Sequence, residues 1–274
     1  MNRTCVNIAC GNSYVDGWHN FDYAPLSPAV VKANLLCRLP LSDASVDVLY
    51  SSHFLEHIPR KRVREFLSEC FRVLKPGAQI RLVLPDLEEI CREYLRQRET
   101  GEHSKADFVV LELIDQCVRS VSGGELGEFY NHVGSSNKEG DIADYIAIRT
   151  GEEVIRKSVA IPMLRWSRVL GALRQPGRVT GVMERFYCRL VSGLLPSAFR
   201  EQNVSFTHVG ERHAWIYDFY ELSKLLEQAG FISILKLSFN QSGIEGFPLS
   251  TLDVNAVDHP RKGLESMYVE ARKP

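Results

Sequence analysis

Short apolar runs alternate with an amphipathic stretch in the N-terminal part of the chain. Runs at residues 5–9, 46–50 and 80–84 have the length and the β-branched content of buried strands. Between the last two runs, residues 60–74 place their apolar side chains at helical spacing. This alternation of strand and helix predicts an α/β sheet.

Two aspartates mark the beginnings of later helices. Asp86 is placed to cap one helix, and Asp218 opens a second that ends at Gly230. The stripe of the first helix that we expect to face the core comprises Leu87, Ile90, Cys91, Tyr94 and Leu95. Apolar runs at 231–239 and 267–271 then predict an antiparallel pair of strands at the sheet edge.

The middle of the chain interrupts this alternation. Residues 99–205 carry mostly helical patterns and no convincing strand. We expect a helical insertion that covers the mouth of the site, as a lid or a substrate-binding element. It would separate the first core segment, at 1–98, from the end of the α/β core, at 206–274.

A basic amphipathic helix is predicted within this insertion. Residues 156–200 contain nine Lys or Arg against one acidic residue, Glu184. Adjacent apolar pairs recur every fourth residue within 181–195, whereas Arg185 and Arg189 lie off that face. The apolar face could pack on the core as a lid, or it could meet an anionic membrane or a lipid-linked anionic substrate.

Composition narrows the classes of function. The formal net charge is -1 and 24% of the residues are charged, so no overall field would hold the chain on nucleic acid. Seven cysteines without a CxxC pair argue against a disulfide framework and favour a reducing cytoplasm. The chain begins with a predicted strand and lacks an apolar run of about 18 residues, so we expect neither a secretory leader nor a membrane span.

The opening of the chain carries the first functional signal. An apolar strand that runs into a glycine turn, with an acidic side chain ending the next strand, can hold a nucleoside at the carboxyl ends of a doubly wound sheet. Gly11 occupies the turn and Asp22 the acidic position. Their separation is shorter than the roughly 20 residues of dinucleotide-binding sheets. The opening therefore predicts an adenosine-containing cofactor.

Three further motifs follow in order: LPLSDASVDVLY at 39–50, FLEHI at 54–58 and RVLKPG at 72–77. With the opening turn they resemble the class I S-adenosylmethionine-dependent methyltransferases, in particular small methyltransferase-domain proteins encoded beside bacterial surface-polysaccharide genes. The resemblance covers residues 4–98 and resumes at 206–240. It implies an enzyme with a Rossmann-like doubly wound sheet of about seven strands, a mostly helical insertion and S-adenosylmethionine as cofactor.

By this resemblance, the turn residues Ala9, Cys10 and Gly11 lie against the methionine portion of the cofactor. Close approach of the backbone to a ligand favours residues without a Cβ. Relatives usually carry two further glycines and an acidic residue nearby. In this chain Ala9, Ser13 and Asn7 stand at those places.

The resemblance also assigns contacts with the adenosine and the methyl group. Asp22 would accept hydrogen bonds from the ribose hydroxyls, Asn34 would bind the adenine amino group, and Leu35 would pack on the ring. Ser51 and His53 would border the transferred methyl group. The alternative for Asp22 is a turn-forming role.

Methyl transfer to a hydroxyl needs a general base, and histidine is the usual candidate because its pKa lies near working pH. We expect His208 or His213 to be the base. Arg212 and Trp215 would position the acceptor, and His132 would contribute to the substrate site. Each histidine has the alternative of capping a turn or bridging loops.

Two other residues that could take part in catalysis or metal binding are expected to have structural roles instead. We expect His57 to fix the turn after its strand, and capping accounts for Asp86. We therefore expect no metal ion in the site.

These expectations favour a cytoplasmic enzyme that O-methylates a sugar or glycan hydroxyl in surface-polysaccharide biosynthesis. Its acceptor would be a small molecule or a glycan, lipid-linked or free, and residues 181–195 could give peripheral contact with the inner membrane. One alternative is a methyltransferase that acts on protein or nucleic acid, although the near-neutral charge argues against a nucleic-acid partner. The other is a non-catalytic scaffold, which the departures at Asn7 and Ala9 keep open.

Overall fold

The computed structural model describes residues 3–25, 27–135, 140–151, 187–188, 190–207 and 210–274. Two predicted features lie outside these ranges. One is the candidate base His208. The other is the part of the basic amphipathic segment at 181–186 and 189, which includes Arg185 and Arg189.

A seven-stranded sheet forms the centre of the protein. Its strands are β1 (Cys5–Ile8), β2 (His19–Asp22), β3 (Val31–Lys32), β4 (Val46–Ser52), β5 (Leu74–Pro85), β6 (Ile232–Leu237) and β7 (Ser266–Arg272). They lie in the order β3-β2-β1-β4-β5-β7-β6, and only β7 runs antiparallel to its neighbours. The strand order reverses between β1 and β4, so their carboxyl ends open a crevice there. The sheet confirms the predicted α/β doubly wound fold and its closing antiparallel strands.

Helices connect and cover the strands. Those with fully described bounds are α1 (Arg60–Val73), α2 (Leu87–Glu99), α3 (His103–Val118), α4 (Gly124–Ser135), α5 (Gly140–Thr150), α6 (Ser197–Asn203), α7 (Phe219–Gln228) and α8 (Leu249–Leu252). A single 3-10 turn at Leu55–His57 follows β4.

The two aspartates predicted as caps begin their helices. Asp86 Oδ1 accepts the Glu88 N–H at 3.1 Å at the start of α2. Asp218 Oδ1 accepts the Glu221 N–H at 2.7 Å at the start of α7. Both bonds satisfy amide groups that have no partner within the helix.

The main core lies between the sheet and two helices. α1 and α7 bury their apolar faces against the strands, and the cluster includes Val6, Ile8, Leu49, Leu67, Ile80 and Leu222. Burial of this kind is the dominant stabilising contribution in a domain of this size. It also fixes the strand ends that carry the site.

The prediction for the inward face of α2 is wrong at two positions. Cys91 and Leu95 are exposed, whereas Glu93 and Gln97 are buried. Glu93 accepts hydrogen bonds from Gln97 and from the Tyr145 hydroxyl of α5, both at 2.7 Å. A polar network therefore occupies part of the covered face of α2, and the apolar stripe is left partly open.

The middle of the chain builds a second apolar cluster. It joins α2 to α3, α4 and α5 through Ile90, Phe108, Val109, Leu126, Val133, Ile142 and Ile146. In the described part of 99–205 the regular elements are helices, and the division at 99 and 205 stays a prediction. Among the described residues, no helix is both long enough and apolar enough to cross a membrane.

Candidate functional site

Two adjoining cavities lie where the carboxyl ends of β1 and β4 meet the start of β7. The small cavity, of about 350 Å³, is lined by the turn after β1 and the end of β4. The large cavity, of about 610 Å³, is walled partly by α3 and α4. Ser13, His53 and Lys262 line both cavities. The insertion helices therefore face the same crevice as the strand ends.

The turn after β1 has an unusual backbone. Ala9 and Gly11 both take left-handed angles, with φ of +55° and +51°. That conformation costs a residue with a Cβ roughly 1–2 kcal/mol, so glycine is the residue expected where Ala9 stands. Cys10 between them is buried, and burial raises the pKa of its thiol to about 11. It is a neutral part of the small cavity wall.

Asn7 presents an unused acceptor at the small cavity. Its side chain is buried, and its Nδ2 donates to Ser13 O at 2.9 Å, which holds the turn closed. Its Oδ1 has no hydrogen-bond partner among the described residues. A buried acceptor left without a partner costs about 1–3 kcal/mol. The amino group of an amino-acid ligand would satisfy it.

Asp22 ties the end of β2 to the turn. Its Oδ2 accepts the Gly11 N–H at 2.9 Å, and its Oδ1 accepts the Ala24 N–H at 2.8 Å. The second bond is the turn-forming interaction that was the alternative for this residue. An ionised carboxylate has about four acceptor positions, so two stay available for hydroxyl groups. The ribose role stays a prediction that this geometry permits.

The other predicted cofactor residues are placed differently. Asn34 is exposed after β3, and its Oδ1 accepts the Leu36 N–H at 3.1 Å. Leu35 is buried in the main core. Ser51 is buried in β4, and its Oγ has no partner among the described residues. Asn34, Leu35 and Ser51 are not among the described residues that line the two cavities.

His53 lies at the junction of the two cavities. It follows β4 with a left-handed φ of +48°, and its N–H donates to Val83 O at 2.8 Å. Its Nε2 shares a hydrogen bond with the Ser266 hydroxyl at 2.9 Å, at the start of β7. Burial lowers the pKa of His53 well below its usual range, so the ring is neutral near pH 7.

Three side chains converge beside His53. Glu56 is fully buried, and its Oε1 lies 3.4 Å from His53 Nδ1 and 4.0 Å from His57 Nε2. The rings of His57 and His213 meet edge to face with centroids 4.8 Å apart. Burial raises the pKa of Glu56 to about 8. Glu56, His57 and His213 form what we call the Glu-His-His cluster.

Backbone hydrogen bonds hold this cluster together. Glu56 O accepts the N–H groups of Ala214 at 2.6 Å and Trp215 at 3.2 Å, and the His213 N–H donates to Gln116 O of α3 at 2.9 Å. His57 Nδ1 donates to the backbone carbonyl that precedes His213, at 2.8 Å. A carbonyl can only accept, so the proton of a neutral His57 is on Nδ1 and its Nε2 carries the lone pair.

The sequence-predicted base His213 lines the large cavity. It is 6% exposed, and its Nδ1 has no hydrogen-bond partner among the described residues. Burial, reinforced by the nearby His57, lowers the pKa of His213 to about 3. The ring is therefore neutral near pH 7. In this environment it binds a proton weakly, so its role as base stays a prediction.

The predicted acceptor-positioning residues lie outside the described linings of the two cavities. Arg212 donates to Cys117 O at 3.1 Å. Trp215 donates its Nε1–H to Glu221 at 2.9 Å, and Arg60 stacks over its ring at 4.4 Å. His132 is on the exposed side of α4. Arg212, Trp215 and His132 are not among the described residues that line either cavity.

Sequence reasoning missed several charged residues of the large cavity. Arg119 follows α3 and pairs with Asp115 at 2.6 Å, and Arg261 and Lys262 come just before β7. The start of β7 lies beside the carboxyl end of β5, since Ser266 pairs with Pro85. Topology was therefore the signal for Arg261 and Lys262. The missed pair Glu56 and His57 had the same signal, because both follow β4.

The segment of residues 13–82, from the turn after β1 into β5, matches the family described as methyltransferase domain. A Mycolicibacterium smegmatis protein described as a probable S-adenosylmethionine-dependent methyltransferase is 45% identical over 51 residues, which are 19% of this chain and 19% of that protein. The match thus spans about a fifth of the relative's length. These matches show that the part of the core from the turn after β1 into β5 is similar to S-adenosylmethionine-dependent methyltransferases.

Solved structures of such enzymes align along the chain. An S-adenosylmethionine-dependent methyltransferase from Archaeoglobus fulgidus is 13% identical, with 99% of this chain and 86% of that chain covered and a TM-score of 0.40. One from Thermotoga maritima is also 13% identical, with 100% and 84% covered and a TM-score of 0.38. The fold assignment rests on the strand order itself.

Proposed function

We propose that this chain is a methyltransferase that holds S-adenosylmethionine at the small cavity and methylates a hydroxyl group in the large cavity. The observation that carries the proposal is the junction at His53. There, the cofactor end of a class I methyltransferase sheet adjoins a larger polar cavity covered by the insertion. Direct transfer requires donor and acceptor sites that adjoin in this way.

The residues of the small cavity fit the cofactor. The left-handed turn at Ala9 and Gly11 leaves room beside the backbone, since a Cβ added at Gly11 would meet no atom within 4 Å. Asn7 Oδ1 offers an acceptor to the amino group of the methionine portion. Asp22 is not among the described residues that line the small cavity, but it is bonded to Gly11 of that lining and keeps acceptor positions for the ribose hydroxyls.

When bound, the cofactor supplies a methyl group on a sulfonium: an acceptor oxygen forms the new C–O bond, the C–S bond breaks, and its electron pair stays on sulfur. The hydroxyl proton must leave to a base. We assign this role to the imidazoles of His53, His57 and His213, which all line the large cavity. Arg119 and Lys262 would hold the acceptor through its oxygens.

The polar lining favours an acceptor rich in hydroxyl groups, and we assign it to the class of sugars and glycans of surface-polysaccharide biosynthesis. Exposed apolar side chains at Tyr187, Leu190 and Leu194 support a lipid-linked acceptor at the inner face of a membrane. The alternatives are methylation of protein or nucleic acid and a scaffold without catalysis. These alternatives differ in which acceptor, if any, should receive the methyl group.

Calorimetric titration with S-adenosylmethionine and S-adenosylhomocysteine tests the cofactor part. We expect micromolar binding of both, and absence of binding to either would overturn the proposal. Transfer of a labelled methyl group would then be measured onto nucleotide sugars, lipid-linked glycans, protein and RNA. Labelled glycan alone supports the assigned class, label on protein or RNA selects that alternative, and cofactor binding without label on any of them favours the scaffold.

A further inference from the structure

The Glu-His-His cluster has the composition and convergence of a metal site. Glu56, His57 and His213 each offer one ligand atom, and these atoms lie within 4.8 Å of one another. Two come from the turn after β4, and the third comes from a segment far along the chain. Local turn chemistry cannot account for that convergence.

The cluster holds polar atoms that have no hydrogen-bond partner in the described part of the chain. Both carboxylate oxygens of Glu56 are buried with no hydrogen-bond partner among the described residues, and so is His213 Nδ1. A buried acceptor left unpaired is destabilising, and more so when it belongs to a charged group. A cation bound between them would use these atoms together.

The ring of His57 is oriented as metal-binding histidines are. Such a histidine usually donates its other ring N–H to a carbonyl or carboxylate, which fixes the tautomer and aims the free lone pair. His57 Nδ1 makes that bond with Arg212 O at 2.8 Å, and its Nε2 lies 4.0 Å from Glu56 Oε1. Ligands of a tetrahedral ion with bonds of about 2.0–2.1 Å lie roughly 3.3 Å apart, so small side-chain movements would close the site.

We propose that Glu56, His57 and His213 bind one divalent transition-metal ion at the wall of the large cavity. Two imidazoles and a carboxylate suit Zn²⁺, Mn²⁺ or Fe²⁺ better than Ca²⁺, and three protein ligands leave a position open for an oxygen of the acceptor. Metal binding itself does not depend on the proposed function. The role assigned to the ion, binding and acidifying the acceptor hydroxyl, does rest on it.

The position suits that role. His53 lies 3.4 Å from Glu56 Oε1 and lines both cavities, so the cluster borders the junction where the methyl group would be transferred. With His57 and His213 engaged as ligands, His53 is the remaining imidazole of the group at that junction. This proposal departs from the sequence-based expectation of no metal ion, which could not include a convergence of distant residues.

The direct test is metal binding by the full chain after removal of any affinity tag and treatment with a chelator. We expect one equivalent of Zn²⁺ in equilibrium dialysis, and visible absorption of a low-symmetry Co²⁺ site on substitution with Co²⁺. Glu56→Gln and His213→Ala should each weaken binding at least about tenfold. His103→Ala, which removes an exposed histidine at the start of α3, is the matched control and should bind as the parent does.

Circular dichroism of each metal-free variant shows whether it folds, and S-adenosylhomocysteine titration reports on the other site. A folded parent that binds no Zn²⁺, Mn²⁺ or Fe²⁺, or that binds one equally after both substitutions, overturns the proposal. Cofactor binding without metal binding would remove this inference and leave the proposed function standing. Metal binding without cofactor binding would remove the proposed function and leave the metal site.

Discussion

Two residues that follow strand ends at the small cavity have backbone conformations that are unfavourable for residues with a Cβ. Ala9 and His53 are non-glycine residues with positive φ, and each follows a strand whose carboxyl end faces the small cavity. Such backbone costs of order 1–3 kcal/mol and persists where the surroundings impose it. Here the imposed geometry aims the Ala9 turn and the His53 ring at the same space.

Asp22 gives the sharpest prediction at this scale. Asp22→Ala should weaken S-adenosylmethionine binding about tenfold or more, since it removes hydrogen bonds to a charged group worth roughly 1.5–3 kcal/mol. Asp22→Asn keeps one acceptor oxygen and should lose less. Asp16→Asn removes an exposed carboxylate of the loop before β2 and serves as control. Calorimetry measures the cofactor affinity of all three variants. Unchanged affinity in Asp22→Ala would contradict the ribose contact and leave Asp22 only its turn-forming role.

Elements of the insertion are held by polar networks as well as by apolar packing. Glu93 of α2 accepts bonds from Arg96, Gln97 and the Tyr145 hydroxyl of α5. Burial acts to raise the pKa of Glu93, but these hydrogen bonds outweigh it and lower the pKa to about 2. The ionised carboxylate of Glu93 therefore links α2 to α5 through its hydrogen bond with Tyr145.

The stability of the protein should depend on this carboxylate in acid. Its folded pKa lies below the ordinary value of 4.5, so its contribution is complete above about pH 4.5 and is lost as the pH falls towards 2. Glu93→Gln should lower the free energy of unfolding by about 1.5–3 kcal/mol at pH 7. The difference from the parent should shrink in acid, as followed by urea denaturation at several pH values.

Glu99→Gln, at the exposed end of α2, supplies the control and should leave stability within about 0.5 kcal/mol of the parent. If the difference in the free energy of unfolding between Glu93→Gln and the parent stays constant from neutral to acid pH, the charge of Glu93 does not stabilise the packing of these helices.

The described part of the predicted membrane segment presents apolar side chains to solvent. Leu190 is 62% and Leu194 is 84% exposed. If they insert into an anionic bilayer, Leu190→Asp with Leu194→Asp should reduce co-sedimentation with phosphatidylglycerol vesicles several-fold, because apolar burial drives such binding. Val257→Asp, at another exposed apolar position, should have no effect. A parent chain that does not sediment would favour the lid alternative.

At the scale of helices and strands, the sequence predicts the features that depend on neighbouring residues. The caps at Asp86 and Asp218 depend on a few adjacent residues, so the sequence contains them. The outward position of Cys91 and Leu95 depends on which helix packs on α2, and no pattern within α2 carries that information. Likewise, His57 and Arg212 are 155 positions apart. The sequence indicated where the strand ends lie, but the Glu-His-His cluster arises only when the chain folds.

At the scale of the whole molecule, a buried network of ion pairs and hydrogen bonds links the central strands of the sheet to the segment after α8. Arg81 of β5 is fully buried and donates to Asp253 and to Glu270 of β7, both at 2.7 Å. The Tyr50 hydroxyl of β4 donates to the other oxygen of Asp253 at 2.6 Å. The network therefore joins three neighbouring strands to the segment that follows α8. Burial raises the pKa of Asp253 even beside Arg81, so the network forms at a desolvation cost.

Arg81→Met should therefore be strongly destabilising. It removes the positively charged partner of Asp253 and Glu270 and leaves these two acidic side chains buried together, which should lower the free energy of unfolding by about 3–5 kcal/mol. Arg92→Met breaks an exposed pair with Glu88, 2.6 Å apart on α2, and should cost at most about 1 kcal/mol. Urea denaturation at pH 7 compares the two variants. Equal losses would mean that the buried network contributes no more than a surface pair, and that backbone pairing and apolar packing hold β4, β5 and β7 in the register that brings His53 to Ser266.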